Sequence, residues 1–169
     1  MYHKIVLAVD GSDASNRALD EALDIAALAQ GRLHAVYIVN PWRVSPYSGY
    51  YDPEALRKVL REDGQITLEA ARKVMAERGV AGDTEIEETK SPEDDIPSCL
   101  HRFVQRHDAD LVVMGTHGRH GVGRAVLGSV AEQFLRMATC PVILVRSCAT
   151  DLQQTRTTEG ENRASQAGR

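Results

Sequence analysis

Lys4-Ile5-Val6-Leu7-Ala8-Val9-Asp10-Gly11-Ser12 is the stretch from which the fold follows. Ile5 to Val9 is an uninterrupted apolar run, and Asp10-Gly11-Ser12 stops it, as expected of a strand covered on both faces rather than wetted on one. Directly after it Ala18, Leu19, Ala22, Leu23 and Ala26 recur at helical spacing, with Ser12 or Asp13 available as N-cap and Gly31 as the stop. A buried strand therefore feeds a helix.

The alternation continues outward from that unit. Leu33 to Val39 reads as a second strand. Asp52-Pro53 opens a helix with cap and N1 proline together, and Leu56, Leu60, Gly64, Leu68, Ala71 and Met75 form its stripe, with Gly79 at its end and Gly64 as its weak point. Thr84 to Thr89 alternates Ile86 with charged neighbours, the pattern of a sheet edge. A third helix begins between Ser91 and Pro97 and carries Leu100, Phe103 and Val104. Asp110 to Met114 is a buried strand, followed by a glycine-rich stretch, a helix through Val130, Phe134 and Met137, and a last strand from Pro141 to Arg146. Five strands alternating with four helices predict a single-domain α/β fold with a doubly wound parallel sheet. In such sheets ligands bind beyond the carboxyl ends of the strands, where the strand order reverses.

Composition sets the limits of that reading. The 169 residues are 43% hydrophobic and 26% charged, the balance of one soluble domain with a tail. Only 2 Phe, 1 Trp and 5 Tyr are available, too few for a base-stacking platform, and a net charge of -4 disfavours a polyanion, so no nucleic-acid partner is expected. No apolar run reaches the roughly 18 residues that a membrane span needs, and Met1-Tyr2-His3-Lys4 opens without a signal-peptide plan, which predicts a cytoplasmic protein. Cys99, Cys140 and Cys148 are widely spaced and form no C-x-x-C, so they read as buried or incidental thiols. Ser147 to Arg169 has Leu152 as its only large apolar residue, and reads as a flexible polar tail after a domain spanning 1–146. Asn40 to Asp52, with Pro41, Pro46, Gly49 and the Tyr47, Tyr50, Tyr51 cluster, reads as a long loop that packs on its own domain or closes over a ligand.

The chemistry is concentrated between Gly115 and Ser129. Five glycines, at 115, 118, 121, 123 and 128, lie directly after a strand and before a helix, where backbone amides and the helix N-terminus favour an anion. Arg119, His120 and Arg124 add positive charge, and a phosphate ligand is expected. A Walker A loop is excluded, because the stretch has no lysine, and a dinucleotide fingerprint would follow the first strand, where only Gly11 stands. The alternative is a surface loop whose Ser129 and Glu132 form an S-x-x-E capping box. Asp10 reads equally as an Asx turn or cap and as a ligand. His117 and His120 lack a neighbouring Cys or carboxylate, which argues against zinc, although a divalent ion carried on nucleotide phosphates needs few protein ligands.

Gly115-x-x-Gly118, nine residues, then Gly128-Ser129-Val130 resembles the G-2x-G-9x-G-[ST] motif of the ATP-binding branch of the universal stress protein family. Lys4 to Ser12, Ala109 to Gly115 and Cys140 to Val145 resemble the family's opening, fourth and last strands in order. The resemblance implies a Rossmann-like, adenine nucleotide alpha hydrolase-like sheet of order 3-2-1-4-5 with ATP, or AMP or ADP, held between the first and fourth strand ends, with Mg or Mn riding on the phosphates. Carried over by position, Ala8, Val9 and Asp10 lie beside adenine and ribose, and Ile38 reads the adenine edge through its backbone. Gly115 approaches the ribose, with Met114 and His117 beside it in the binding set, while Gly118, Arg119, Gly128, Ser129 and Val130 surround the phosphates. The second strand departs from the family, ending Tyr37-Ile38-Val39-Asn40 where His-Val before an acidic residue is usual. In that strand order Pro141 to Arg146 is an apolar edge, which predicts a homodimer through 141–146. Three functions compete: a nucleotide-dependent stress-response module with a regulatory protein partner, a slow ATP hydrolase or other ATP-consuming enzyme, and a structural protein without ligand. The first is expected, because the glycine spacing is intact while no Walker-type lysine, dedicated metal carboxylate or placed base is evident.

Overall fold

The structure is a computed structural model that describes residues 2–42, 52–118 and 127–147. Its elements are β1 (Lys4–Ala8), α1 (Asp13–Ala29), β2 (Arg32–Val39), α2 (Pro53–Glu77), β3 (Gly82–Glu88), α3 (Ile96–Arg106), β4 (Leu111–Gly115), α4 (Ser129–Met137) and β5 (Val142–Val145). All pairings are parallel and the strand order is β3-β2-β1-β4-β5, as expected. The Tyr47, Tyr50, Tyr51 cluster, Arg119, His120, Arg124, Cys148 and the chain from 148 onward lie outside the described residues.

The central strands carry long apolar runs because both faces are covered. Odd-numbered Ile5 and Leu7 join Ala35, Tyr37, Leu111 and Val113 under α1 and α2. Even-numbered Val6 joins Val36, Val112 and Met114 with Leu100, Phe103 and Phe134 of α3 and α4. Ile5, Val6 and Leu7 are each 0% exposed, which rules out the one-sided wetting of an antiparallel sheet.

The structure decides one local reading that the sequence left open and corrects two others. Ser12, not Asp13, is the N-cap of α1, its side chain accepting from the Ser15 amide at 3.3 Å. Gln30, at φ 51°, rather than Gly31, takes the left-handed position that ends α1. Gly31 is there for space, since a Cβ would stand 2.7 Å from the Tyr2 carbonyl oxygen. Gly64 likewise is no defect of α2: its missing side chain admits the buried Tyr37 ring, whose Cδ1 a Cβ would meet at 2.8 Å. Asp52 and Asp95 cap α2 and α3 through their carboxylates.

Of the thiols, Cys99 is buried and its pKa is pushed up to about 11 by that burial. Cys140, half-buried, is raised by the same cause. Both are therefore thiols rather than thiolates near neutral pH, in line with a packing role.

Candidate functional site

The strand order reverses between β1 and β4, whose register pairs Ala8 with Met114. Beyond that pair the chain leaves each strand in a tight, cross-linked turn. Gly11, at φ 78°, makes the first turn possible. The Asp10 carboxylate accepts the Ser12 amide at 3.0 Å, an Asx turn, and the Asp10 amide donates to Ser15 Oγ at 3.1 Å. Ser12 Oγ in turn donates to the His117 carbonyl at 3.4 Å, tying the turn after β1 to the turn after β4. Thr116, 5% exposed, donates its amide to the Val145 carbonyl and accepts the Gly128 amide, both at 2.8 Å. Its Oγ1 stands 3.0 Å from His117 Nδ1. One point thus joins β1, β4, β5 and the entry to α4.

The glycines have particular spatial reasons here. A Cβ at Gly115 would come within 3.0 Å of Ala14 Cβ, so glycine lets β4 close against the first turn of α1. At Gly118 a Cβ would stand 2.6 Å from Asp10 Oδ2, and at Gly128 it would stand 2.8 Å from the Thr116 carbonyl oxygen. Gly118 and Asp10 are thereby brought face to face across the switch point.

The entry to α4 overturns the capping-box alternative. Gly128 is the N-cap, Ser129 is the first helical residue, and among the described residues no side chain caps this end. Glu132 lies on the first turn, where it pairs with Arg136 at 2.8 Å. Ser129 is exposed at the mouth of the switch point, where the first-turn amides of α4 lack partners within the helix itself.

The apolar part of the expected site divides by face. Ala8, Ile38, Met114 and Val130 lie in one cluster with Leu127, forming a wall on the α3 and α4 side. Val9 does not join it: its side chain is buried in the opposite core, and its amide is held by the Val36 carbonyl at 2.9 Å. Residues that the motif did not single out as cross-links are Ser12, Ser15 and Thr116. Only the Ser12 side chain had a sequence signal, its position after a strand and before a helical stripe. Among the described residues no three His, Cys, Asp or Glu side chains are grouped as a metal site.

The neighbouring loop is held by charge. Asp94 accepts both Arg102 guanidinium nitrogens, at 2.8 and 2.6 Å, and the Lys90 amide at 2.8 Å. Arg102 first, and then that amide, hold its carboxyl below the usual range against burial. Burial acts to raise Glu88, and the guanidiniums of Arg61 and Arg57 outweigh it, leaving the carboxyl low. Two open clefts, of about 370 and 930 Å³, lie between α2 and β3 at the far sheet edge, away from the switch point.

Residues 1–146 match the Universal stress protein family. A universal stress protein of Methanocaldococcus jannaschii is 38% identical over 149 residues, covering 86% of this chain and 83% of its own length. The crystal structure of a protein from the universal stress protein family of Burkholderia pseudomallei is 40% identical, with a TM-score of 0.66 over 83% of this chain and 93% of that one. The universal stress protein from Archaeoglobus fulgidus in complex with dAMP is 25% identical, with a TM-score of 0.62 over 85% of this chain and 98% of that one. Among the described residues no helix is long and apolar enough to cross a membrane.

Proposed function

The chain belongs to the universal stress protein family, and from that premise we propose that it binds an adenine nucleotide, ATP in particular, as a regulatory ligand at the β1–β4 switch point. The observation that carries this reading is the meeting of Asp10 and Gly118 beside a helix N-terminus that, among the described residues, no side chain caps. A carboxylate accepts from ribose hydroxyls, and the first-turn amides of α4 suit a phosphate. The dAMP complex of the Archaeoglobus fulgidus relative supports the ligand class. The binding set is Ala8, the main chain of Val9, Asp10, Ile38, Met114, Gly115, His117, Gly118, Arg119, Gly128, Ser129 and Val130. When bound, Mg or Mn would neutralise phosphate charge while needing few ligands from the protein. Protein purified without added nucleotide, denatured and run on ion exchange should release adenine nucleotide into the supernatant. Its absence, with no binding on addition, would count against the proposal.

The same geometry argues for a ligand rather than a fuel. Backbone amides and a helix N-terminus hold phosphates about equally in ground and transition states, and uniform binding of that kind raises affinity without raising rate. Among the described residues no three His, Cys, Asp or Glu side chains are grouped to hold the metal ions on which phosphoryl-transfer enzymes rely for electrostatic stabilisation. Phosphate release at saturating ATP and magnesium should therefore fall far below the roughly 1–100 per second of kinases. Turnover above about one per second, lost on Ser129 substitution, would instead make the protein an ATP-consuming enzyme.

The proposal includes a cytoplasmic homodimer whose nucleotide state sets partner choice. β5 is an edge strand of Val142, Ile143, Leu144 and Val145, of which the first three are only half-buried. An isologous contact with the same strand of a second chain would cover it. Light scattering should give twice the chain mass at micromolar concentration, and a monomer would contradict the contact.

A further inference from the structure

At the end of the sheet opposite the switch point, the His34 and His107 rings meet with centroids 4.9 Å apart and planes tilted by 47°. We propose that this pair is an acid-released latch that holds the C-terminal end of α3 on β2 and β3. His34 belongs to β2, where its register partners are Val6 and Asp83. His107 is the C-cap of α3 and stacks on Phe103, 1% exposed, at 4.2 Å. The latch therefore rests directly on the core shared by α3 and α4.

Both rings are largely enclosed, with 14% and 23% of the side chains exposed. His34 Nδ1 and His107 Nε2 are buried without a hydrogen-bond partner. That arrangement suits neutral imidazoles packed as rings. A proton on His34 places a cation against the His107 ring in a site with little water.

The surrounding charges do not offset this. Asp83 Oδ2 stands 3.6 Å from His34 Nδ1, and Glu85 Oε2 stands 3.6 Å from His107 Nε2, but Asp83 is 65% exposed and pairs with Arg32 at 3.2 Å. Glu85 is bound by Arg106 at 2.8 Å, and Arg106 also holds Glu87. Lys4 of β1, paired with Asp108 at 3.5 Å, adds positive charge at the same end. Burial first, and then His107, hold His34 below its ordinary value of 6.5, with Asp83 opposing and Arg32 and Lys4 assisting. The sign follows. When the C-terminal turn of α3 unwinds from the sheet, His34 regains water and its ordinary proton affinity, so the open form binds the proton that the closed form refuses. The closed form is fully favoured above pH 6.5 and loses ground as pH falls below it.

Hydrogen exchange between about pH 7.5 and about pH 5, corrected for intrinsic rates, tests the latch. The amides of His107, Asp108 and Ala109, bonded to Phe103, Gln105 and Val104, report on it directly. Their opening constant should rise by up to about tenfold per pH unit below 6.5, the limit for one proton, while the Ile5 to Leu7 amides of β1 hold their protection. His34→Gln should flatten that slope. In the unsubstituted protein the His34 ring resonance should titrate below 6.5, a readout that stands even if the variant fails to fold. Titration at or above 6.5, equal loss of protection in β1, or a full slope in a folded His34→Gln protein would each overturn the latch.

Discussion

Replacing Gly128 with aspartate is expected to lower adenine-nucleotide affinity at least about a hundredfold, roughly 2.7 kcal/mol. Aspartate is a good N-cap, so its carboxylate would accept the first-turn amides of α4 and put a negative charge where the phosphates are proposed to sit. The variant loses the anion's donors and gains a repulsion in the same place. A steric effect accompanies this, because any Cβ at 128 stands 2.8 Å from the Thr116 carbonyl oxygen. Gly128→Ala carries that contact without the charge and so isolates it. The alanine variant should lose affinity modestly and the aspartate variant at least about tenfold more, a difference of roughly 1.4 kcal/mol. Both should keep the native circular-dichroism spectrum. Equal affinities for the two folded variants would remove the phosphates from the entry of α4.

Gly82→Ala should be the most damaging single methyl in the described fold. Gly82 begins β3 opposite Leu33, and a Cβ there would stand 1.9 Å from the Leu33 carbonyl oxygen and 2.7 Å from Met75 Cε. The methionine end can move, but the carbonyl belongs to a strand that is buried on both faces. Either β3 shifts away from β2 or the ladder opens at its first pair. The cost should be at least about 3 kcal/mol, at the upper end of overpacking effects, lowering the thermal midpoint by roughly 6–12 °C. Gly79→Ala makes the contrast: nothing lies within 4 Å of its Cβ position, and only the φ of 65° is unfavourable. That variant should lose only about 1–2 kcal/mol. Chemical denaturation of the two proteins separates a clash from a conformational penalty, and a Gly82→Ala protein as stable as Gly79→Ala would contradict the geometry.

These two sites differ in how far their sequence reveals them. The interior strands of a sheet covered on both faces carry near-continuous apolar runs, so Ile5 to Val9 and Asp110 to Met114 could be read as strands, each one residue out of step with the observed Lys4–Ala8 and Leu111–Gly115. β3 is an edge strand of alternating charge, and its start at Gly82 and Asp83, rather than Thr84, carries no apolar signal. Gly31, Gly64 and Gly82 are glycine because of carbonyls and a ring brought from elsewhere in the chain, and no local window contains those neighbours. The glycine spacing did identify the turn after β4. It did not reveal that Thr116 joins β5 to α4, or that Ser129 lies inside the helix rather than at its cap, since both depend on where the last strand lands. Val9 reads as a strand residue from its apolar run, whereas β1 ends at Ala8, and only the alternation of faces along the chain decides that the Val9 side chain points away from the wall formed by Ala8, Ile38 and Met114.

Equilibrium dialysis of labelled ATP against nucleotide-free protein, with magnesium present, measures the proposed ligand site without relying on heat or turnover. Saturable binding of one adenine nucleotide per chain, displaced by unlabelled AMP or ADP and weakened at least about a hundredfold by Gly128→Asp, is the result expected. A folded protein that retains no ATP, ADP or AMP at millimolar concentration would contradict a nucleotide site at the β1–β4 switch point.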